Sequence, residues 1–577
     1  MRSARLLTAV LLAAAAIAAD AQIARAETAV WGAGCTEKIG QHERSNLPHL
    51  GVYDAANRTI RLTAVQGEHA PFQLVVTAAG ESLKDVTVHA GHLEAAEHRL
   101  PADAVSLYLE GYVHIYAPTV HHGDAGVWPD PLVPLSKPFD VVPRTRAGHT
   151  EQTNQPIWVD ILVPRQQPPG RYRGHLKVLS AAREIGSVTV ELEVLGVALP
   201  AQRKYPAHVG LYSEQIARVH HLDLKDDGPL ARALSRDYQR FLLQHRLDPR
   251  NEPFGGGRII NGKYSLDWSR PELERLYAEE GRCQYQLSAN PPGLPLQGIS
   301  GPFTGEYEQH ARDYLRDLLA RASRQGWKDR ILLLSPCDEP DRPSEYEAIR
   351  RWSALVRSVD PQVRFAVTEQ PVPEEKAWGS LVGHVNAWIV NGNCLISNAA
   401  EIQARRRAGD QVLWYISCDQ LFPQPNYYID RAAADPRMIG WITYRCQLDG
   451  ILYWTTTYWG EVLNPWGDAV NWKSYPCGSP AAGEGSLLYP GNLVERYTRQ
   501  QNVAGPIGSL RLALLREGLE ELELLDLLAR NGNPAAAQRI AERVCRDVRD
   551  FTRDPVEIEA ARAELLRELH RAIKEPR

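Results

Sequence analysis

The stretch that decides the fold is Ile331-Leu332-Leu333-Leu334-Ser335-Pro336-Cys337-Asp338-Glu339-Pro340. Four consecutive apolar residues read as a short strand buried on both faces, and two adjacent carboxylates follow where it stops. Pro340 and Pro343 keep a helix from starting early, while Ser344 and Glu347 have the spacing of a capping box ahead of a helical pattern over Tyr346 to Val359. Asp338 and Glu339 therefore fall in the loop between a buried strand and its helix, where parallel barrels carry their reactive side chains.

The same rhythm extends in both directions. Apolar runs lie at 208–212, 283–287, 364–368, 385–390, 411–418 and 451–456, and helical spacing at 230–247 and 307–327. With a poorly defined second strand this predicts a (β/α)8 TIM-like barrel over 207–510, a doubly wound sheet being the alternative. Upstream, Val188, Val190, Leu192 and Val194 alternate with Thr189, Glu191 and Glu193, and strands are predicted over Trp158 to Val163 and His175 to Leu179. Residues 28–200 are thus expected to form a β-sandwich, joined by a linker at Pro200 to Pro206. Downstream, Leu510 to Leu528 reads as amphipathic and two charged helices follow, so 511–577 is expected to pack as a C-terminal helical segment on the outside of the barrel.

The N-terminus reads as a processing signal. Arg2 and Arg5 precede an apolar run from Leu6 to Ala19, and Ala24-Arg25-Ala26 or Ala19-Asp20-Ala21 offers a cleavage site. A signal peptide over 1–26 implies a secreted or periplasmic protein. No later run reaches the roughly 18 apolar residues of a membrane span, so no integral membrane segment is expected after cleavage.

Composition excludes other classes. In 577 residues, 65 basic against 70 acidic side chains leave a net charge of -5, which argues against nucleic acid as a partner. Eight cysteines are too few for a disulfide scaffold and lack metal spacing; Cys394, Cys418 and Cys446 are read as buried free thiols. His121-His122 with Asp124 and His220-His221 with Asp223 read as surface features, and a calcium site from Asp338, Glu339 and Asp341 is a weaker reading than catalysis. No phosphate loop, dinucleotide fingerprint, GxSxG or HExxH occurs, so no cofactor or metal is expected.

Aromatic usage points to sugars. The chain has 14 Trp and 23 Tyr against 8 Phe, and eight of the Trp lie between Trp378 and Trp472. Rings with a polar edge suit a ligand with an apolar C–H face and hydroxyl edges. Trp388, Trp414, Tyr415, Tyr453 and Trp454, at or near the ends of predicted strands 6, 7 and 8, are the candidate substrate-binding residues, with Tyr415 or Tyr453 as donors to a substrate carbonyl.

Two adjacent carboxylates do not suit the usual glycosidase scheme, in which acid and nucleophile stand on opposite sides of the bond, roughly 5 to 9 Å apart. They suit substrate assistance. A 2-acetamido carbonyl oxygen attacks the anomeric carbon, one carboxylate holds the acetamido group, and its neighbour protonates the leaving oxygen. The pair's like charges are expected to raise one pKa.

With SPCDEP at 335–340 stand VNAWIV at 385–390, QVLWYISC at 411–418 and RMIGWITYRCQLDGILYW at 437–454. GEGSLLYPG at 483–491 and GPIGSLRLALLREGLEELELL at 505–525 follow. Together they resemble glycoside hydrolase family 123, well over about 330 to 528 and loosely in the N-terminal sandwich. The resemblance implies an exo-acting, retaining β-N-acetylgalactosaminidase with a glycan or glycoconjugate substrate. It also implies Asp338 as the residue holding the acetamido group and Glu339 as the acid and then the base. Ser335-Pro336-Cys337 and Glu484 depart from the family's usual aromatic and Asp at those places, which bears on the sugar preferred. Two alternatives are a two-carboxylate retaining glycosidase, with Glu339 as acid and Glu369 or Asp419 as nucleophile, and a glycan-binding surface protein without turnover.

Overall fold

A computed structural model of the chain describes residues 28–42, 51–146, 149–223, 227–277, 281–461 and 463–574. The expected signal segment, 1–26, lies outside them. The N-terminal part is β-rich and the next part a parallel barrel, followed by helices.

The sandwich has one sheet built on Ala29–Gly34, Phe72–Ala78, Thr153–Ile161, Val105–Ile115 and Gly126–Pro134, and a second that includes Leu83–Ala90, Gly170–Ser180, Arg183–Ala198 and Thr59–Gln66. In Arg183–Ala198 the valines and Leu192 are buried while Thr189, Glu191 and Glu193 are half-buried, as their alternation requires. The first sheet does not end with the N-terminal region: Pro506–Ser509 pairs with Gly126–Pro134, and Leu488–Pro490 pairs with Pro506–Ser509. Trp466, Val470, Tyr489 and Ile507 fill the same core.

The barrel strands are β1 (Ala207–Val209), β2 (Asp248–Pro249), β3 (Tyr285–Ser288), β4 (Ile331–Leu334), β5 (Arg364–Val367), β6 (Ala387–Asn391), β7 (Gln411–Ile416) and β8 (Gly450–Tyr453). They run parallel in the order β2-β1-β8-β7-β6-β5-β4-β3. The seam between β2 and β3 is stitched by side chains, since Asp248 accepts from the Cys283 amide (2.7 Å) and Arg282 donates to the Pro249 carbonyl (2.9 Å). The two-residue β2 ends in a proline, which has no N–H for a ladder, and this is why its sequence signal is faint. The floor is polar: His208 Nε2 meets Gln284 Oε1 at 2.9 Å, and Gln284 donates to Gln411 Oε1 at 2.9 Å.

Three expectations change. Pro200 to Pro206 is fastened rather than loose, because Arg203 is buried against Asp248 and the Lys204 amide donates to Glu523 at 2.8 Å. The helix Leu510–Arg530 is buried nearly all round instead of being amphipathic, for it runs between sandwich and barrel and its charges are paired inside. Arg511 meets Asp130, Arg516 meets Asp160 at 2.7 Å, and Glu520 meets His69 at 3.1 Å. It crosses the helix Ala434–Arg445 at a glycine contact, where a Cβ on Gly440 would stand 1.8 Å from the Gly518 carbonyl oxygen. The last helix, Pro555–Lys574, reaches the sandwich as well as the barrel: Arg562 donates to the Thr63 carbonyl (2.8 Å) and to Glu68 (2.6 Å). Third, Cys418 is not a free thiol but is bonded to Cys477; Cys394 and Cys446 are free and half-buried.

Candidate active site

β4 sends Leu332 and Leu334 into the barrel, against Ala366, Ala387, Ile389, Leu413 and Tyr415. Beyond it the backbone stays tied to β5, with the Ser335 amide donating to the Ala366 carbonyl at 2.8 Å. Cys337 is buried, and its amide donates to Ser335 Oγ at 3.2 Å. Asp338 and Glu339 then stand exposed at the barrel mouth. Glu339 has φ 41°, the left-handed region that L side chains rarely adopt, so its side chain leaves in a direction that Asp338 does not share.

The expected capping box is absent. Pro343 takes the first helical position, where its missing N–H costs nothing, so the helix starts at Pro343 with Arg342 as its cap residue and Ser344 lies inside the first turn. Glu345 instead accepts from the Asp341 amide at 2.9 Å.

Each carboxylate has its own partner. Thr368 Oγ accepts from the Glu339 amide at 2.9 Å and donates to Asp338 Oδ1 at 2.5 Å. Tyr415, from the inner face of β7, donates to Glu339 Oε1 at 2.5 Å. Crowding by protein on the sides away from the mouth raises the Glu339 carboxyl above the ordinary glutamate range. The Tyr415 bond opposes this, and the Asp338 and Asp419 charges add to it. Desolvation by that surrounding protein, not the adjacent like charge expected from sequence, leads. Behind Tyr415, Asn391 Nδ2 reaches the tyrosine oxygen at 3.0 Å and Asp419 Oδ2 at 2.9 Å.

The five aromatic candidates separate by strand parity. Tyr415 lies inside, and Trp454 continues the inner face of β8 to the mouth, its indole N–H donating to Glu484 Oε1 at 2.6 Å. Trp388 and Trp414 are corrected: both are fully buried behind the barrel wall, bonded to Asp410 (3.0 Å) and Thr443 (2.9 Å), and offer no surface to a ligand. Tyr453 is corrected likewise. It packs against Tyr427 and accepts from the Gly485 amide at 2.6 Å. One residue along a strand reverses the face, and sequence spacing alone did not fix which of each pair looks inward.

Around Trp454 stand rings that the sequence reading did not single out: Tyr212 at 6.0 Å, Tyr458 at 5.4 Å and Trp472 at 5.8 Å between centroids. Tyr475 stacks on Trp472 at 3.7 Å, and Tyr212 and Tyr475 are exposed. The Trp and Tyr density up to Trp472 was the available signal. Thr368, Asn391 and Asn393 gave none, since isolated polar residues at strand ends are common.

Glu369 is sealed in. It is 6 % exposed, accepts from the Gln370 amide at 3.0 Å, and burial pushes its carboxyl up to about 7. His122 lies on Phe422 and His220 on Tyr238, and Asp341 pairs with Arg342 at 2.7 Å. Among the described residues no group of three His, Cys, Asp or Glu could hold a metal ion.

The catalytic-domain model of glycoside hydrolase family 123 matches residues 297–528, and the N-terminal-domain model of that family matches residues 41–180. This chain belongs to glycoside hydrolase family 123. The family 123 assignment makes it a glycoside hydrolase, and the matched catalytic region contains β4 to β8 with both mouth carboxylates. A family 123 glycoside hydrolase from Clostridium perfringens, described for glycolipid glycan hydrolysis, superposes with a TM-score of 0.68. The alignment covers 95 % of this chain and 99 % of that one, at 12 % identity; this is a likeness of fold. A family 39 glycoside hydrolase from the gut symbiont Bacteroides cellulosilyticus aligns with a TM-score of 0.30, at 11 % identity, over 80 % of this chain and 82 % of that one. No curated protein matches the sequence.

In this family 123 enzyme Glu484 is buried beneath Trp454, and burial pushes its carboxyl up to about 7. Gly485, with φ 62°, lets the Trp454 ring lie on the backbone, since a Cβ there would stand 2.3 Å from the ring. No helix among the described residues is long and apolar enough to cross a membrane.

Proposed function

We propose that this glycoside hydrolase removes a terminal β-linked N-acetylhexosamine, with N-acetylgalactosamine as the sugar, by a retaining, substrate-assisted route through an oxazoline. The observation that carries it is the pairing at the mouth: consecutive carboxylates, one held by Thr368 and the other by Tyr415. Asp338 would fix and polarise the acetamido group as its oxygen attacks the anomeric carbon. Glu339, whose protonated form is favoured by the crowding protein around it, gives its proton to the leaving oxygen. As a carboxylate it then takes a proton from the water that opens the oxazoline.

The two-carboxylate alternative loses support at Glu369, which is buried, and at Asp419, whose oxygens accept from Ser417 (2.6 Å), Asn391 (2.9 Å) and Asn393 (2.9 Å). Export remains part of the proposal, and the Cys418–Cys477 bond supports an oxidising compartment. The deciding experiment is a panel of aryl β-glycosides with and without the 2-acetamido group, together with a thiazoline that mimics the oxazoline. Turnover restricted to 2-acetamido sugars and tight thiazoline inhibition are expected. Equal turnover of both sets without inhibition overturns the reading.

A further inference from the structure

Tyr415 meets Glu339 as a donor only if its single hydroxyl hydrogen points that way, and the residues behind it decide this. Asn391, the last residue of β6, uses every hydrogen-bonding position of its amide. Its Nδ2 reaches Tyr415 Oη (3.0 Å) and Asp419 Oδ2 (2.9 Å), while its Oδ1 accepts from the Asn393 amide (2.9 Å) and from Gln420 Nε2 (2.5 Å). A flipped amide would set its oxygen against the Asp419 carboxylate and its NH2 against two donors. Gln420 cannot turn to accommodate this, because its own oxygen accepts from the Ser417 amide. The Asn391 orientation is therefore fixed from three sides.

We propose that Asn391 is a positioning residue that aims the Tyr415 hydroxyl at Glu339 Oε1 and thereby leaves the catalytic proton on Oε2. An N–H arriving at Tyr415 Oη occupies a lone pair, so the hydroxyl hydrogen turns toward the nearest acceptor, which is Oε1. A protonated carboxyl whose carbonyl oxygen accepts that bond carries its proton on the other oxygen. Proton transfer to the leaving oxygen then turns the neutral acid into a carboxylate already met by a donor on Oε1. This inference rests on Glu339 being the general acid.

The charged and titratable groups facing Glu339 are Asp338 on its own loop, Glu369 beyond β5, and Tyr415 and Asp419 on β7 and its loop. Of these only Tyr415 favours the carboxylate, so misdirecting its hydroxyl must raise the Glu339 pKa. The alkaline limb of kcat/KM, where Glu339 loses its proton, then moves to higher pH.

The experiment compares wild type, Asn391→Ala, Tyr415→Phe and the double variant on a phenyl 2-acetamido-β-galactoside across pH. Asn391→Ala is expected to lower kcat about 3- to 10-fold, the size of one lost neutral hydrogen bond, with KM little changed and the alkaline limb shifted upward. In the Tyr415→Phe background the same substitution should add nothing. An unmoved or downward-moved limb, or losses that multiply in the double variant, would make Asn391 a packing residue and overturn the proposal. If Asn391→Ala does not fold, as judged by thermal melting, Asn391→Ser is read in the same way. Glu339→Gln is the control for the underlying reading: near wild-type turnover in that variant would sink the reaction scheme itself, whereas an inactive Glu339→Gln with an unmoved Asn391→Ala profile would sink only this inference.

Discussion

Arg511 and Asp130 form a two-pronged ion pair, with Nε to Oδ1 at 2.9 Å and Nη2 to Oδ2 at 2.8 Å, between the buried helix Leu510–Arg530 and the sandwich strand Gly126–Pro134. Both side chains are at most 1 % exposed. Tyr489 adds a third bond to Asp130 at 2.6 Å. Arg511→Met would leave the carboxylate buried and without its cation, at a cost of about 3–5 kcal/mol. Chemical denaturation should show a loss of that order, and a fragment beginning at Tyr205 should fail to fold because it strands Arg511 and Arg516 together. A cooperative melt in that fragment would refute the coupling.

Glu339→Gln should slow substrates with poor leaving groups about 10²- to 10⁴-fold and activated aryl glycosides far less. A plot of log kcat/KM against leaving-group pKa tests this. A slope no steeper than that of wild type would remove Glu339 from the role of acid.

Asp338→Asn should slow every 2-acetamido substrate regardless of leaving group, because on the proposed route oxazoline formation is what fails. Thr368→Val keeps the shape but removes the hydroxyl bonded to Asp338 and to the Glu339 amide, and it should reproduce part of that loss. An unaffected Thr368→Val would mean that Asp338 is held well enough by its loop.

Strand parity can be checked by fluorescence and kinetics together. Trp454→Ala should raise KM, while Trp388→Phe and Trp414→Phe should lower thermal stability and leave KM in place. A KM effect from either buried tryptophan would contradict their position behind the barrel wall.

His208, on the barrel floor, is 1 % exposed, and burial lowers its imidazole below the ordinary 6.5. Burial disfavours the charged ring in the folded protein, whereas the unfolded chain takes up a proton below about pH 6.5. Stability therefore falls as pH drops below that value. His208→Gln should flatten the decline in Tm between pH 7 and pH 5; an unchanged slope would assign acid sensitivity to other groups.

The barrel was legible because a parallel strand buried on both faces leaves an unbroken apolar run, as Ile331 to Leu334 does. The carboxylate pair was legible for the same reason, being where that run ends. Inward and outward rings were not, since Trp454 and Tyr453 differ by one residue and only the register settles which looks in. The buried helix misled for a different reason: its pattern reads as amphipathic, but Arg511, Arg516 and Glu520 are paired inside with Asp130, Asp160 and His69, hundreds of residues away. Nothing local in a sequence announces a long-range ion pair.

The strand Gly126–Pro134 acquires its outer neighbour, Pro506–Ser509, only after roughly 370 further residues have been made. Until that strand arrives, Gly126–Pro134 is an open edge. Pro129, Pro131 and Pro134 lie within it, and residues without an N–H make a poor template for a stray partner. The prolines thus leave this edge a poor template for stray pairing until the C-terminal strand docks.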